Sequence, residues 1–268
     1  MAAQSTLDDP GTDTNTFYRR TLHVLSDAHV PFLVGGSHAY LQYTGIVRDT
    51  KDFDLFIRRE DLDRALEALR DSGYRTEMTF GHWLAKAFQA GDHVDLVYAS
   101  GNGVARVDDD WFVHALEADV LGMPVKIAPI EEFLWQKAFV MERERYDGAD
   151  VMHLMLHCAE HLDWQRLLAR FDRYWPLLLT YITLFTFVYP SERHKLPSAV
   201  VDELMERQRQ RLATSDENER VCQGTLTSRA QYMIDIGQYG FADARLTPRG
   251  NMSPEDVIYW TWAIENID

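Results

Sequence analysis

The sequence predicts an α+β protein, with an N-terminal half that mixes helices and strands and a C-terminal half that is helical. Three observations carry this. Strand patterns recur up to about residue 130. Beyond Pro129 successive segments show helical spacing alone. Within the first half, "LVGGSHAYLQYTGIVRDTKDFDLFI" (33–57) runs an apolar strand into two glycines and a serine, then sets two aspartates among Phe53, Leu55 and Ile57.

Each element follows from local chemistry. Phe17, Leu22, Leu25 and Ala28 recur at helical intervals, predicting a helix over about 14–29. "PFLVGG" is a short strand ending in a glycine turn, and Ser37 caps a helix reaching about Tyr43. "KDFDLFI" is a strand, and "REDLDRALEALRDSG" is an amphipathic helix stopped by Gly73. "YRTEMTF" is a strand, and "HWLAKAFQAGDHVDLVYAS" is a hairpin turning near Gly91. "GNG" (101–103) is a loop, "VDDDW" (107–111) a solvated loop and helix start, and "LGMPVKIAPI" a tight turn with the last strand. Helices are expected at about 131–145, 148–161, 163–173, 177–188, 198–212 and 254–266, with "ATSDENER" (213–220) a polar loop. The division expected is a tail at 1–13, a mixed core at 14–130 and a helical domain at 131–268.

The bulk numbers bound the function. A chain of 268 residues suits one large domain or two small ones. Its net charge of −15 favours cations and cationic substrates, and disfavours nucleic acid and anionic membrane. Cys158 and Cys222 are too few for a disulfide framework and fit reduced thiols in a cytoplasmic protein. The N-terminal run lacks the basic and apolar regions of a signal peptide. The apolar stretch Tyr174–Ser191 is interrupted by prolines and is too short to span a bilayer, so a buried helix is expected.

The chemistry lies in the opening stretch. Residues i and i+2 of a strand share a face, so Asp52 and Asp54 point together. Paired carboxylates are hard oxygen ligands suited to Mg²⁺, which is usually shared with substrate phosphates. Gly35 and Gly36 leave room for a ligand, and Ser37 stands at a helix N-terminus, which favours phosphate. Asp95, mid-strand between Val94 and Leu96, is a third carboxylate able to hold a metal or accept a hydroxyl proton. Asp92 reads as a turn residue.

"VGGS", a helix, "DFD" on a strand and a later "VDLV" resemble the signature of the polymerase-β-like nucleotidyltransferase superfamily. "RDTKDFDLF" (Arg48, Thr50, Asp52, Asp54) resembles the Arg-x-Thr-x-Asp-x-Asp form found among abortive-infection toxins and uncharacterised bacterial members. "EEFLWQKAFVMERERYDGADVMHLM" resembles their helical motif, with Lys137 before Asp147 and Asp150. The resemblance spans about residues 30–160 and implies a small mixed-sheet nucleotidyltransferase core followed by an all-helical domain. It further implies attack by an acceptor hydroxyl on the α-phosphate of a nucleoside triphosphate such as ATP, with Mg²⁺ or Mn²⁺. Asp52, Asp54 and Asp95 are then the metal and catalytic residues, and Gly35, Gly36, Ser37 and Lys137 the nucleotide-binding ones.

Bland readings stand beside these. Asp147 and Asp150 also suit a helix N-terminus, and Arg48 and Lys51 a plain surface. His153, His157 and His161 recur at zinc-ligand spacing but have no glutamate general base between them, and the expectation is that they line the helix face toward the nucleotide domain. Trp260 and Trp262 read as core or interface. The partners expected are a nucleoside triphosphate and an acceptor: a small cationic molecule, a protein or a tRNA. The charge weighs against nucleic acid. An antitoxin or a second copy of the chain is also admitted. The alternative is a catalytically silent nucleotide-binding regulatory module of the same fold.

Overall fold

The computed structural model describes residues 10–48, 52–214 and 220–265. Most of the expected tail, Thr50, Lys51 and most of the 213–220 loop lie outside them, as does the Trp262 side chain. The chain forms two compact units.

The first unit comprises residues 1–39, 47–98 and 107–128. Its elements are α1 (Pro10–Asp27), β1 (Leu33–Val34), the start of α2 (Gly36–Thr44), β2 (Asp54–Phe56), α3 (Leu62–Asp71), β3 (Arg75–Phe80), β4 (Leu84–Gln89), β5 (Asp92–Val97), α4 (Asp109–Val113), β6 (Leu116–Val120) and β7 (Met123–Ile127). The strands form one seven-stranded sheet in the order β3-β4-β5-β2-β1-β7-β6. The sheet is mixed: β2 pairs parallel with β5 and β1 parallel with β7, while the other neighbours are antiparallel.

Two hairpins owe their register to left-handed turns. Ala90 and Gly91 have φ of 53° and 98°, and Leu121 and Gly122 have 56° and 77°. Two-residue loops with both φ values positive match the twist of paired strands. The second hairpin supplies β6, a strand absent from the sequence expectation: "LEADV" is short, carries two exposed acids and buries Val120 alone, a weak strand signal despite its alternation.

On one side of the sheet Leu33, Phe56, Leu84, Val97, Val107, Trp111 and Ala128 form a buried cluster. Trp111 is fully buried, and Asp108 caps its helix by accepting from the Asp110 amide. Elsewhere in the unit α1 and α3 pack together, burying Phe17, Leu22 and Leu25 of one and Leu62, Leu66 and Leu69 of the other. Spacings of three and four residues place Leu62, Leu66 and Leu69 on one helix face, and Leu22 and Leu25, with Phe17 eight residues before Leu25, share a face of α1.

The second unit comprises residues 40–46, 99–106 and 129–268. It contains α5 (Ile130–Lys137), α6 (Gly148–Cys158), α7 (Trp164–Phe171), α8 (Trp175–Val188), α9 (Ser198–Ala213), β8 (Val221–Cys222), α10 (Met233–Gly237), β9 (Ala242–Asp243) and α11 (Pro254–Glu265). Two details depart from the sequence expectation. The helix expected to reach 145 stops at Lys137, where the chain reverses and the Asp147 amide donates to the Val140 carbonyl at 3.1 Å. A parallel pair, β8 with β9, interrupts the helices, and Asp243 of β9 forms a buried ion pair with Arg245. The α+β class stands, with a helical C-terminal region. Among the described residues no helix is long and apolar enough to cross a membrane. α8 instead buries Leu178, Tyr181, Ile182 and Phe185.

The second unit also buries a charge network. Glu132, fully buried, accepts from Arg166 Nη1 at 2.6 Å and from Arg170 Nε at 2.9 Å. Glu131 pairs with Arg166 Nη2 and accepts the Asp163 amide at 2.7 Å. These contacts tie α5 to α7 and satisfy carboxylates that could not otherwise be buried.

Candidate active site

The edge of α2 and strands β2, β5 and β4 of the first unit bring the chemistry-bearing residues into one row. The β2–β5 register sets Asp54 opposite Asp95, and the β4–β5 register sets Lys86 opposite Asp95. On the other side of β2 the Gly35 amide donates to the Asp54 carbonyl at 2.9 Å. The row therefore runs Lys86, Asp95, Asp54 and the glycine turn, across four neighbouring strands.

The glycines are needed for close approach. A Cβ on Gly35 would land on the Phe56 ring, and one on Gly36 would land on Asp54 Oδ2. Gly36 also has φ of +54°, in the left-handed region. Gly36→Ala is expected to destabilise the chain by about 1–2 kcal/mol from backbone strain alone, with the displaced carboxylate adding to it. Urea unfolding of the two proteins checks this, and an unchanged midpoint counts against the strain.

Phe53 and Leu55 are fully buried, which turns Asp52 and Asp54 to the opposite side of the strand. Asp52 is exposed, with His93 Nε2 3.2 Å from its Oδ1. Phe53 stacks on Tyr18, ring centroids 4.4 Å apart, and takes the edge of His38 at 4.8 Å. The Tyr18 phenol is pushed up to about 12, first by burial and then by the charges of Asp92, Asp52, Asp54 and Asp95. Its neighbourhood is thus strongly negative, a setting that draws cations. Burial pushes the His38 imidazole down.

Asp95 is half-buried. Lys86 Nζ donates to its two oxygens at 2.7 and 3.0 Å, and His93 Nε2 lies 3.6 Å from Oδ1. Among the described residues no group of three or more His, Cys, Asp or Glu side chains is gathered as a metal cage. Asp52 and Asp54 still fit Mg²⁺, because that ion is commonly held by one or two carboxylates plus substrate phosphates. Ser37 Oγ fits a phosphate oxygen: it is buried and has no hydrogen-bond partner among the described residues. A buried hydroxyl is rarely left so, and the free amides of a helix start lie beside it.

Lys137 belongs to the second unit. Its ammonium donates to Asp147 at 3.0 Å and Asp150 at 2.7 Å and lies 5.3 Å from the Phe133 ring centre. The Lys-then-Asp-x-x-Asp spacing is thus a lysine held by both acids. In the same unit His153 Nδ1 is hydrogen-bonded to Tyr40 Oη at 2.8 Å, and His157 and His161 are exposed. Asp92 accepts from Thr14 at 3.1 Å.

Sequence reasoning missed Lys86 and His93. The signal was available: a two-residue turn at 90–91 pairs Gln89 with Asp92, and counting outward puts Lys86 opposite Asp95.

A mixed sheet with a Gly-Gly-Ser turn against an Asp-x-Asp strand, joined to a helical region, is the architecture of a polymerase-β-like nucleotidyltransferase. Residues 14–170 match the family described as "Nucleotidyl transferase of unknown function (DUF2204)", and the chain belongs to that family. No curated protein sequence is similar enough to count as a match. Similar solved structures include the antibiotic-resistance factor ANT(2″)-Ia, 19% identical, covering 62% of this chain and 95% of that one at a TM-score of 0.45. Lincomycin-bound LnuA, a lincosamide antibiotic adenylyltransferase, is 17% identical over 52% of this chain and 94% of that one, at 0.38. JHP933 from Helicobacter pylori is 14% identical over 78% and 99%, also at 0.38. The family match carries the assignment.

Proposed function

We propose that this protein transfers a nucleoside monophosphate from a nucleoside triphosphate, with Mg²⁺ or Mn²⁺, to the hydroxyl of a cationic small molecule. The observation that carries this is the pairing of Asp52 and Asp54 with the Gly35-Gly36-Ser37 turn, where Gly36 admits the Asp54 carboxylate and Ser37 Oγ is buried without a partner among the described residues. Asp52 and Asp54 would hold the cation. A bound divalent ion neutralises triphosphate charge and makes an acceptor hydroxyl more acidic. Ser37 Oγ and the first amides of α2 hold phosphate oxygens. Gly35 and Gly36 let the turn close onto Phe56 and Asp54, which sets the start of α2 beside the Asp54 carboxylate. Lys137, oriented by Asp147 and Asp150, would contribute to triphosphate binding.

The acceptor oxygen bonds to the α-phosphorus, the bond to the leaving pyrophosphate breaks, and the hydroxyl proton leaves to a base. In this reading Asp95, the third carboxylate of the row, would be the candidate base. The net charge of −15 supports a cationic acceptor over tRNA, which needs basic residues to offset its phosphates. Dependence on nucleoside triphosphate suits a cytoplasmic protein.

Thermal unfolding with ATP, GTP, CTP or UTP, each with Mg²⁺ or EDTA, tests the reading. A nucleotide at about a hundred times its Kd is expected to stabilise the chain by about 2.7 kcal/mol, visible as a raised Tm that EDTA removes. No shift with any nucleotide would overturn the proposal. A shift without pyrophosphate release in an acceptor screen would make the chain a silent nucleotide-binding module.

A further inference from the structure

Lys86 changes what the third carboxylate can do. It lies on β4 directly across from Asp95 on β5, in the unbroken register from Gln89–Asp92 to Leu84–Val97. The hairpin turn at 90–91 enforces that register, so the ammonium is delivered beside Asp95 by the backbone. Both carboxylate oxygens accept from it, and the pair is largely shielded, with 24% of the Lys86 side chain and 13% of the Asp95 side chain exposed. His93, two residues before Asp95 on the same strand face, fills the space toward Asp52. Separating a shielded ion pair leaves an uncompensated charge in a poorly solvated place, which is costly.

We propose that the Lys86 ammonium serves Asp95 in place of a second divalent cation, so that the site takes one divalent cation per chain, on Asp52 and Asp54. This rests on the nucleotidyltransferase reading above and deepens it. Asp95 is a charge partner of Lys86 and gives no oxygen to the ion. With Lys86 charged, the three carboxylates retain just the negative charge that one divalent ion balances.

The test counts cations directly. The full chain is dialysed against Mn²⁺ with the non-cleavable α,β-methylene analogues of ATP, GTP, CTP and UTP in turn. Bound Mn²⁺ per chain is read by electron paramagnetic resonance, in which two ions a few ångströms apart broaden each other. Wild type is expected to bind one ion with an unbroadened signal, and Lys86→Met two with a broadened one. Two ions in wild type would overturn the inference and leave the nucleotidyltransferase reading intact. One ion in both proteins would show that the lysine excludes nothing, which also overturns it. No ion with any analogue would remove the nucleotidyltransferase reading, and the inference with it. If circular dichroism shows that Lys86→Met is unfolded, Lys86→Gln replaces it under the same criteria, and the wild-type count decides by itself.

Discussion

Replacing Asp54 by asparagine is expected to lower nucleotidyl transfer by about a hundredfold or more while leaving the fold intact. The amide keeps the shape of the carboxylate and its contact with Gly36, but loses the charge. A bound ion is worth several kcal/mol of charge stabilisation in the transition state, and a loss of about 3 kcal/mol is a hundredfold. Stability should stay level or rise in the absence of metal. Asp54 stands opposite Asp95 with Asp52 two residues away, so removing one charge relieves repulsion among three. Pyrophosphate release and urea unfolding, measured on the same preparations, separate the two effects. A variant retaining a third of wild-type turnover would remove Asp54 from the ligand set.

Glu132→Ala is expected to cost about 3–5 kcal/mol of stability, the largest effect outside the candidate site. Glu132 is fully buried and accepts from both Arg166 and Arg170. Removing it takes this carboxylate from both poorly solvated guanidiniums while Glu131 still pairs with Arg166, and breaking a buried pair by deleting one partner is costly in this range. Arg170 also lies over the Trp135 ring at 5.6 Å, so its displacement disturbs packing as well. Glu132→Gln retains the shape and should cost less. Urea titration with both variants checks the order. Equal losses would assign the effect to packing, and no loss would mean that the network holds nothing.

These predictions draw on different layers of the molecule. The Asp54 result depends on features legible in one short stretch of sequence. Gly35, Gly36 and Ser37 mark a tight strand-to-helix turn because only such residues suit positive φ, close approach and a helix start. Asp52 and Asp54 alternate with buried Phe53 and Leu55, and period-two alternation assigns their face without further information. The Glu132 result had no such signal. "EEFLWQK" reads as an ordinary helix start with acids in its first turn, and nothing local says that two arginines more than thirty residues later will bury both glutamates.

The same division holds for the whole chain. Helical spacing, glycine stops and alternating strands are local properties, so the sequence by itself determined the α+β class, the turn–helix–strand that holds the candidate site, and most element positions. Local pattern cannot order strands, because pairing partners are chosen by long-range burial. Only the tertiary structure decided that β2 lies between β1 and β5, that β6 joins the sheet edge, and that β8 and β9 pair among the helices. It also decided the company of the carboxylates. Asp54 and Asp95 are forty-one residues apart, and they become neighbours because β2 and β5 run parallel in one register. Lys86 reaches Asp95 through the hairpin, and Lys137 is bound to Asp147 and Asp150 because α5 ends early and the chain turns back. A charge pair needs a few ångströms of separation to matter, and distance in space, unlike residue type or spacing, is set only when the chain is folded.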